Sequence, residues 1–160
     1  MPVNVVYGCL RTKEEFKRKQ AMFETMMKNN SKLDLAFLID CTSSMSSYIK
    51  QTKDDIRNMV DFVKETYEND IKLGFVGYRD HSDGAMRIEI LDFTGEPTEF
   101  ESFVGGIKAT GGGDTPEDVL GGLEAVLNLG WSNPNKVLIH IGDAPQHGEE
   151  FHDFGKLNGL

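Results

Sequence analysis

The sequence predicts an α/β fold, a doubly wound, mostly parallel sheet with an antiparallel hairpin at one edge. Short apolar runs alternate along the chain with stretches whose apolar residues recur at helical spacing. Polar, acidic loops, Asp40 to Ser44 and Gly142-Asp143, follow directly on two of those runs, where sheets of this kind place their ligand sites. One pair of runs is joined by too few residues for a parallel crossover and must turn back on itself.

Thr12-Lys13-Glu14-Glu15 has the form of a capping box, and Phe16, Phe23, Met26 and Met27 follow it at near-helical spacing. Residues 12 to 29 are therefore expected to form an amphipathic helix, in a region 1–30 that precedes the main domain at 31–160. Leu33 to Ile39 is apolar apart from Asp34, as a strand buried on both faces should be. From Ser46 to Tyr67 the positions Ile49, Ile56, Met59, Val60, Phe62 and Val63 predict a helix. Ile71 to Tyr78 is the next strand, with Gly74 and Gly77 at places suited to close packing. Met86 to Phe93 pairs with it as the hairpin. Pro97 to Ile107 forms a short helix, and Ala109 to Asp114 a glycine-rich loop. Pro116 marks the start of a helix to about Leu129. Lys136 to Ile141 is the fourth and last strand, and the tail from Gln146 shows no clear one.

The chain has 160 residues, about one domain's worth. Its 17 Lys and Arg against 26 Asp and Glu give a formal charge of −9, which repels phosphate backbones and anionic lipid and argues against nucleic acid as a partner. Met1 to Leu10 lacks the pattern of a secretory signal and no apolar run approaches a membrane span, so a soluble, cytoplasmic protein is expected. Cys9 and Cys41 lack metal-knuckle spacing and are expected to be reduced thiols.

In Asp40-x-Thr42-x-Ser44 an alternating chain places three oxygen-bearing side chains on one side, where they can converge on a point. A hard cation such as Mg²⁺ prefers such oxygens to sulfur or imidazole. FLIDCTSSM, GGGDTPEDV and IHIGDAP, in that order, resemble the metal-ion-dependent adhesion site of von Willebrand factor A domains, over residues 33 to 145. More narrowly, GYRDHSD, GGGDTPEDVLGGL and HIGDAPQHG look like the A domains found beside atypical α-kinase catalytic domains. The resemblance implies a Rossmann-like sheet and a Mg²⁺ site (Mn²⁺ or Ca²⁺ being alternatives). Thr42, Ser44 and Thr115 would ligate through hydroxyls, and Asp40 and Asp143 directly or through water. It further implies a protein-binding module, in which an Asp or Glu of a protein partner completes the coordination.

The sequence departs from the family at two points. Thr42 stands where the family more often has Ser, which keeps the hydroxyl and adds a methyl. The family has six strands in the order 3-2-1-4-5-6, and only four are recognisable here. The fourth is thus expected to be an open edge, either because the chain is a fragment or truncated, or because a partner or a second copy covers it.

Ordinary uses exist for each residue: Thr42 or Ser44 can cap the following helix, Thr115 can be the N-cap before Pro116, and Asp143 can fix a turn. Gly111-Gly112-Gly113 lacks the Gly-Lys-Ser/Thr of a phosphate loop. His147, His152 and Asp153 lack the spacing of a zinc motif, and Arg79-Asp80-His81 in the hairpin turn is expected to form surface salt bridges. A metal-dependent phosphohydrolase would need a second acid at position 42 and another at 147, where Thr42 and His147 stand. The reading is therefore of a non-catalytic module, or of a regulatory segment of an α-kinase-like protein whose catalytic domain lies outside these residues.

Overall fold

The computed structural model describes residues 4–6 (backbone alone), 32–66, 71–113 and 116–147. The expected helix at 12–29 lies outside the described residues, as do Thr115, His152 and Asp153.

Strand β2, Leu33–Asp40, is the centre of the sheet, and all its residues are buried. Alternation sends its side chains into two cores. Leu33, Leu35, Phe37 and Ile39 pack with Ile56, Val60 and Val63 of helix α1 (Ile49–Thr66) and with Phe100 and Val104 of α2 (Pro97–Gly106). Ala36 and Leu38 face Val119 and Val126 of α3 (Val119–Leu127). A strand covered on both faces can be apolar almost throughout, as this run is.

Strands β3 (Ile71–Tyr78) and β5 (Asn135–Ile141) flank β2, both parallel to it. Strand β4 (Ile88–Thr94) closes one side antiparallel to β3. The close-packing expectation holds at both glycines. A Cβ on Gly74 would stand 3.1 Å from the Phe93 ring, and one on Gly77 would stand 2.9 Å from Cys41 Sγ. The chain leaves β2 for β3 on one side and later returns to β5 on the other, so the connections diverge at the carboxyl end of β2.

Three expectations need correction. The sheet has a fifth strand, β1 (Asn4–Val6), and its order is β1-β5-β2-β3-β4. Because β1 pairs parallel with Val137 to Ile139, the last strand's outer edge is not open there. Three residues carry too little pattern to be read as a strand, and their partner is far away in sequence. Helix α3 starts at Val119 rather than Pro116, because the backbone of Glu117 is already committed: its N–H donates to Pro145 O at 2.9 Å and its carbonyl accepts from His147 N at 3.2 Å. Asp118 is the N-cap, accepting from Gly121 N at 2.8 Å. Finally, Ser43–Ser47 is a separate 3₁₀ turn, and α1 begins only at Ile49. Among the described residues no helix is long and apolar enough to cross a membrane.

Asp34, the one acid in the β2 run before its end, is fully buried. Its Oδ2 accepts from Ser132 N at 2.6 Å and Asn133 N at 2.8 Å, fastening the loop that leads into β5. Charge-assisted bonds of this kind contribute about 1.5–3 kcal/mol each, offset in part by the burial of the charge. Asp34→Ala is therefore expected to lower the unfolding free energy by about 1–3 kcal/mol in urea titration. A loss below about 0.5 kcal/mol would show that this anchor contributes no more than an ordinary surface contact.

Candidate metal site

Four of the five residues singled out by sequence come together at the carboxyl end of β2. Asp40 Oδ1 accepts from Thr42 N at 2.9 Å and from Thr42 Oγ1 at 2.6 Å. Thr42 Oγ1 lies 2.9 Å from Ser44 Oγ, which donates to Asp143 Oδ1 at 2.9 Å. The result is one chain of oxygens from the last residue of β2 and two positions in the loop after it to a fourth residue after β5. Neither Thr42 nor Ser44 caps a helix: the 3₁₀ turn has Thr42 at its N-cap position without a side-chain capping bond.

Asp40 and Thr42 are buried while Ser44 and Asp143 are exposed, so the chain runs from the interior to the surface. Burial raises the Asp40 carboxyl pKa and the two Thr42 donors oppose that, while Asp143 acts both ways, its charge raising it and its backbone N–H lowering it. Asp40 Oδ2 is buried and has no hydrogen-bond partner among the described residues, a costly state for a carboxylate oxygen. A hard cation is a partner that suits it. Among the described residues no three His, Cys, Asp or Glu side chains are grouped to hold a metal, so any cation here must rely on hydroxyls as well as carboxylates. The donor set of two carboxylates and two hydroxyls fits Mg²⁺ in kind. Nearby, Cys41 is a buried free thiol, pushed up to about 12 by burial, and so inert.

The glycine-rich loop lies against this chain. Ser43 N and Oγ both donate to Gly111 O, at 3.0 and 2.7 Å, and Thr110 N donates to Cys41 O at 2.9 Å. Gly111 and Gly112 have φ of 79° and 87°, which side chains disfavour. A Cβ on Gly112 would also stand 3.2 Å from Thr42 Cβ, so the backbone passes directly over that residue.

On its other side the loop is held by residues the sequence reading assigned to the surface. Arg79 is 1% exposed. Its guanidinium donates to Thr110 O and Lys108 O at 2.9 Å each and to Met86 O at 2.7 Å, and it pairs with Glu89 at 2.7 Å. Asp80 is buried as well, at the N-cap of the 3₁₀ segment His81–Met86, where it forms a reciprocal capping box with Asp83. Gly112 N donates to Asp83 Oδ2 at 2.9 Å and Gly113 N to Asp80 Oδ2 at 3.2 Å. The surface salt-bridge expectation is thus wrong for Arg79 and Asp80, because a short hairpin connection at this end of the sheet is overlaid by the loop. His81 lies beside Asp118, with Nε2 3.3 Å from its Oδ1, and Arg87 pairs with Asp118 at 2.9 Å. His147 is buried, with Nε2 2.8 Å from Asp80 Oδ1. The sequence carried one usable signal for these residues, the Asp80-x-x-Asp83 capping pattern. The pairing with His147 had none.

Fold and site together define a doubly wound α/β domain with an acid-and-hydroxyl cluster at the switch point of its sheet. The sequence model of the von Willebrand factor A domain matches residues 34–154, and the chain belongs to that family. It is 42% identical over 136 residues to the alpha-protein kinase vwkA of Dictyostelium discoideum, covering 80% of this chain and 22% of that protein. It is 30% identical over 123 residues to a putative ariadne-like RING finger protein, R811, of Acanthamoeba polyphaga mimivirus, covering 76% of this chain and 12% of that one. The chain therefore spans less than a quarter of the length of either relative.

Burial alone would raise the Asp80 carboxyl pKa, but hydrogen bonds from the Ser82 side chain, His147, and the backbones of Ser82 and His81 outweigh it and hold the group below the usual carboxylate range. A depressed folded pKa contributes stability above the unfolded value of about 3.9, and that contribution is lost as pH falls below it. In urea midpoints measured from pH 5 to 2.5, the wild type should lose stability more steeply than Asp80→Asn below about pH 4. Parallel curves would contradict the assignment.

Proposed function

We propose that this domain is a metal-ion-dependent protein-binding module. The observation that carries it is the buried Asp40 Oδ2, without a hydrogen-bond partner among the described residues, at the inner end of the chain Asp40, Thr42, Ser44, Asp143. In this reading Asp40, Thr42, Ser44 and Asp143 hold Mg²⁺, with Mn²⁺ or Ca²⁺ as substitutes, and Thr115 is the fifth ligand by family resemblance. The bound ion supplies a positive centre that a partner's Asp or Glu carboxylate can reach. The chain's own residues do the rest: the exposed Ser44 and Asp143 open the site to a partner, and the hydrogen bonds along the chain hold the hydroxyls toward one point. On a chain of charge −9, an acidic partner is repelled by the bare protein, so binding should depend on the ion and vanish with chelator.

The likeness to an alpha-protein kinase supports a second, compatible reading, in which the domain is a regulatory or targeting segment of a longer α-kinase-like protein. Any kinase activity then resides outside these residues.

Isothermal titration of EDTA-stripped protein with Mg²⁺ and Mn²⁺ should give saturable binding that an Asp40→Ala, Ser44→Ala double variant loses. No binding by a demonstrably folded wild type would overturn the proposal.

A further inference from the structure

Among the described residues, Asp80 touches none of those read as ligands, yet its two carboxylate oxygens divide between the two segments that flank the site. Oδ2 accepts from Gly113 N at 3.2 Å, and from the Ser82 backbone and side chain. Through Gly113 it holds the glycine-rich loop, which passes over Thr42 and bonds to Ser43 through Gly111 O. Oδ1 accepts from His81 N at 2.6 Å and lies 2.8 Å from His147 Nε2. An ionised carboxylate only accepts, so the proton of that bond belongs to Nε2. His147 stands four residues after Asp143, and its N–H is tied back to Glu117 O at 3.2 Å. Asp83 reinforces the same loop through Gly112 N.

We infer that Asp80 is a positioning residue for the candidate metal site: with His147 it braces the glycine-rich loop against the Asp143 segment and so sets the spacing between Thr42 and Asp143 oxygens. The inference rests on the metal-binding reading above. Its physical content is that a hard cation tolerates little error in ligand spacing, and that removing groups which orient ligands from outside the coordination sphere typically weakens metal binding about 10–100-fold. Without Asp80 the Gly113 N–H loses its acceptor, at the end of a loop whose glycines impose little direction of their own.

The test is Mn²⁺ affinity, by titration calorimetry on the stripped full chain, of wild type, Asp80→Ala, His147→Gln and Asp34→Ala, at a temperature where circular dichroism shows all four folded. Asp34→Ala is the control, since it removes an acid anchoring backbone N–H groups away from this site. Asp80→Ala is expected to weaken Mn²⁺ binding at least tenfold. His147→Gln, which leaves Asp80 in place and serves if Asp80→Ala does not fold, should weaken it severalfold, and Asp34→Ala by less than about twofold. Amide exchange supplies a readout independent of the ion: protection at Gly113 should fall in metal-free Asp80→Ala and persist in Asp34→Ala. Wild-type binding with affinity unchanged in both brace variants, or lost equally in the Asp34 control, overturns the brace and leaves the metal site standing. A folded wild type that binds no Mn²⁺ overturns the metal site and the brace with it.

Discussion

The central strand of this sheet ends on an acid that the fold buries. Asp40 is the last residue of β2, and its position follows from the apolar run before it, which both cores require to be covered up to its end. Two hydroxyl and amide donors from Thr42 satisfy one oxygen and leave the other without a hydrogen-bond partner among the described residues. A second carboxylate, Asp143, faces the same chain of hydroxyls from the end of the neighbouring strand. Such an arrangement concentrates negative charge where burial already disfavours it. The surrounding loops are organised around that unresolved charge: β2 and β5 bring the two acids together, and the 3₁₀ turn aims the hydroxyls between them.

The loops themselves are short of intrinsic order. Glycine-rich backbone and a hairpin connection do not hold a fixed shape on their own, and both are secured by buried polar groups. Arg79 spends its donors on three carbonyls and a carboxylate, and Asp80 accepts from three separate parts of the chain. Buried polar groups are tolerated when they are this well partnered. The polar network on one side of the glycine loop and the oxygen cluster on the other are thus joined through it into one structure.

Much of this was legible in the chain. Period and run length located β2, β3, β4, β5, α1 and α2 because each is long enough to show a pattern against the cores. Asp40, Thr42 and Ser44 were legible from an alternating oxygen-bearing run at a strand end, and Asp143 joined them through the resemblance to the adhesion-site motifs. What escaped reading was long-range. Asn4–Val6 is too short to declare itself and becomes a strand only through β5. Pro116 marks a helix start by local rule, but backbone pairing of Glu117 with the 145–147 segment delays it to Val119. Arg79 and Asp80 look solvated in sequence, and only the loop laid over them makes them interior.

The most direct test of the account is to grow crystals of the stripped protein in saturating Mn²⁺ and record anomalous diffraction. The account predicts one strong peak at roughly 2 Å from the Thr42 and Ser44 hydroxyl oxygens, with Asp40 and Asp143 beside it or one water away. A well-ordered site with no peak there, or a metal bound only elsewhere, would contradict it.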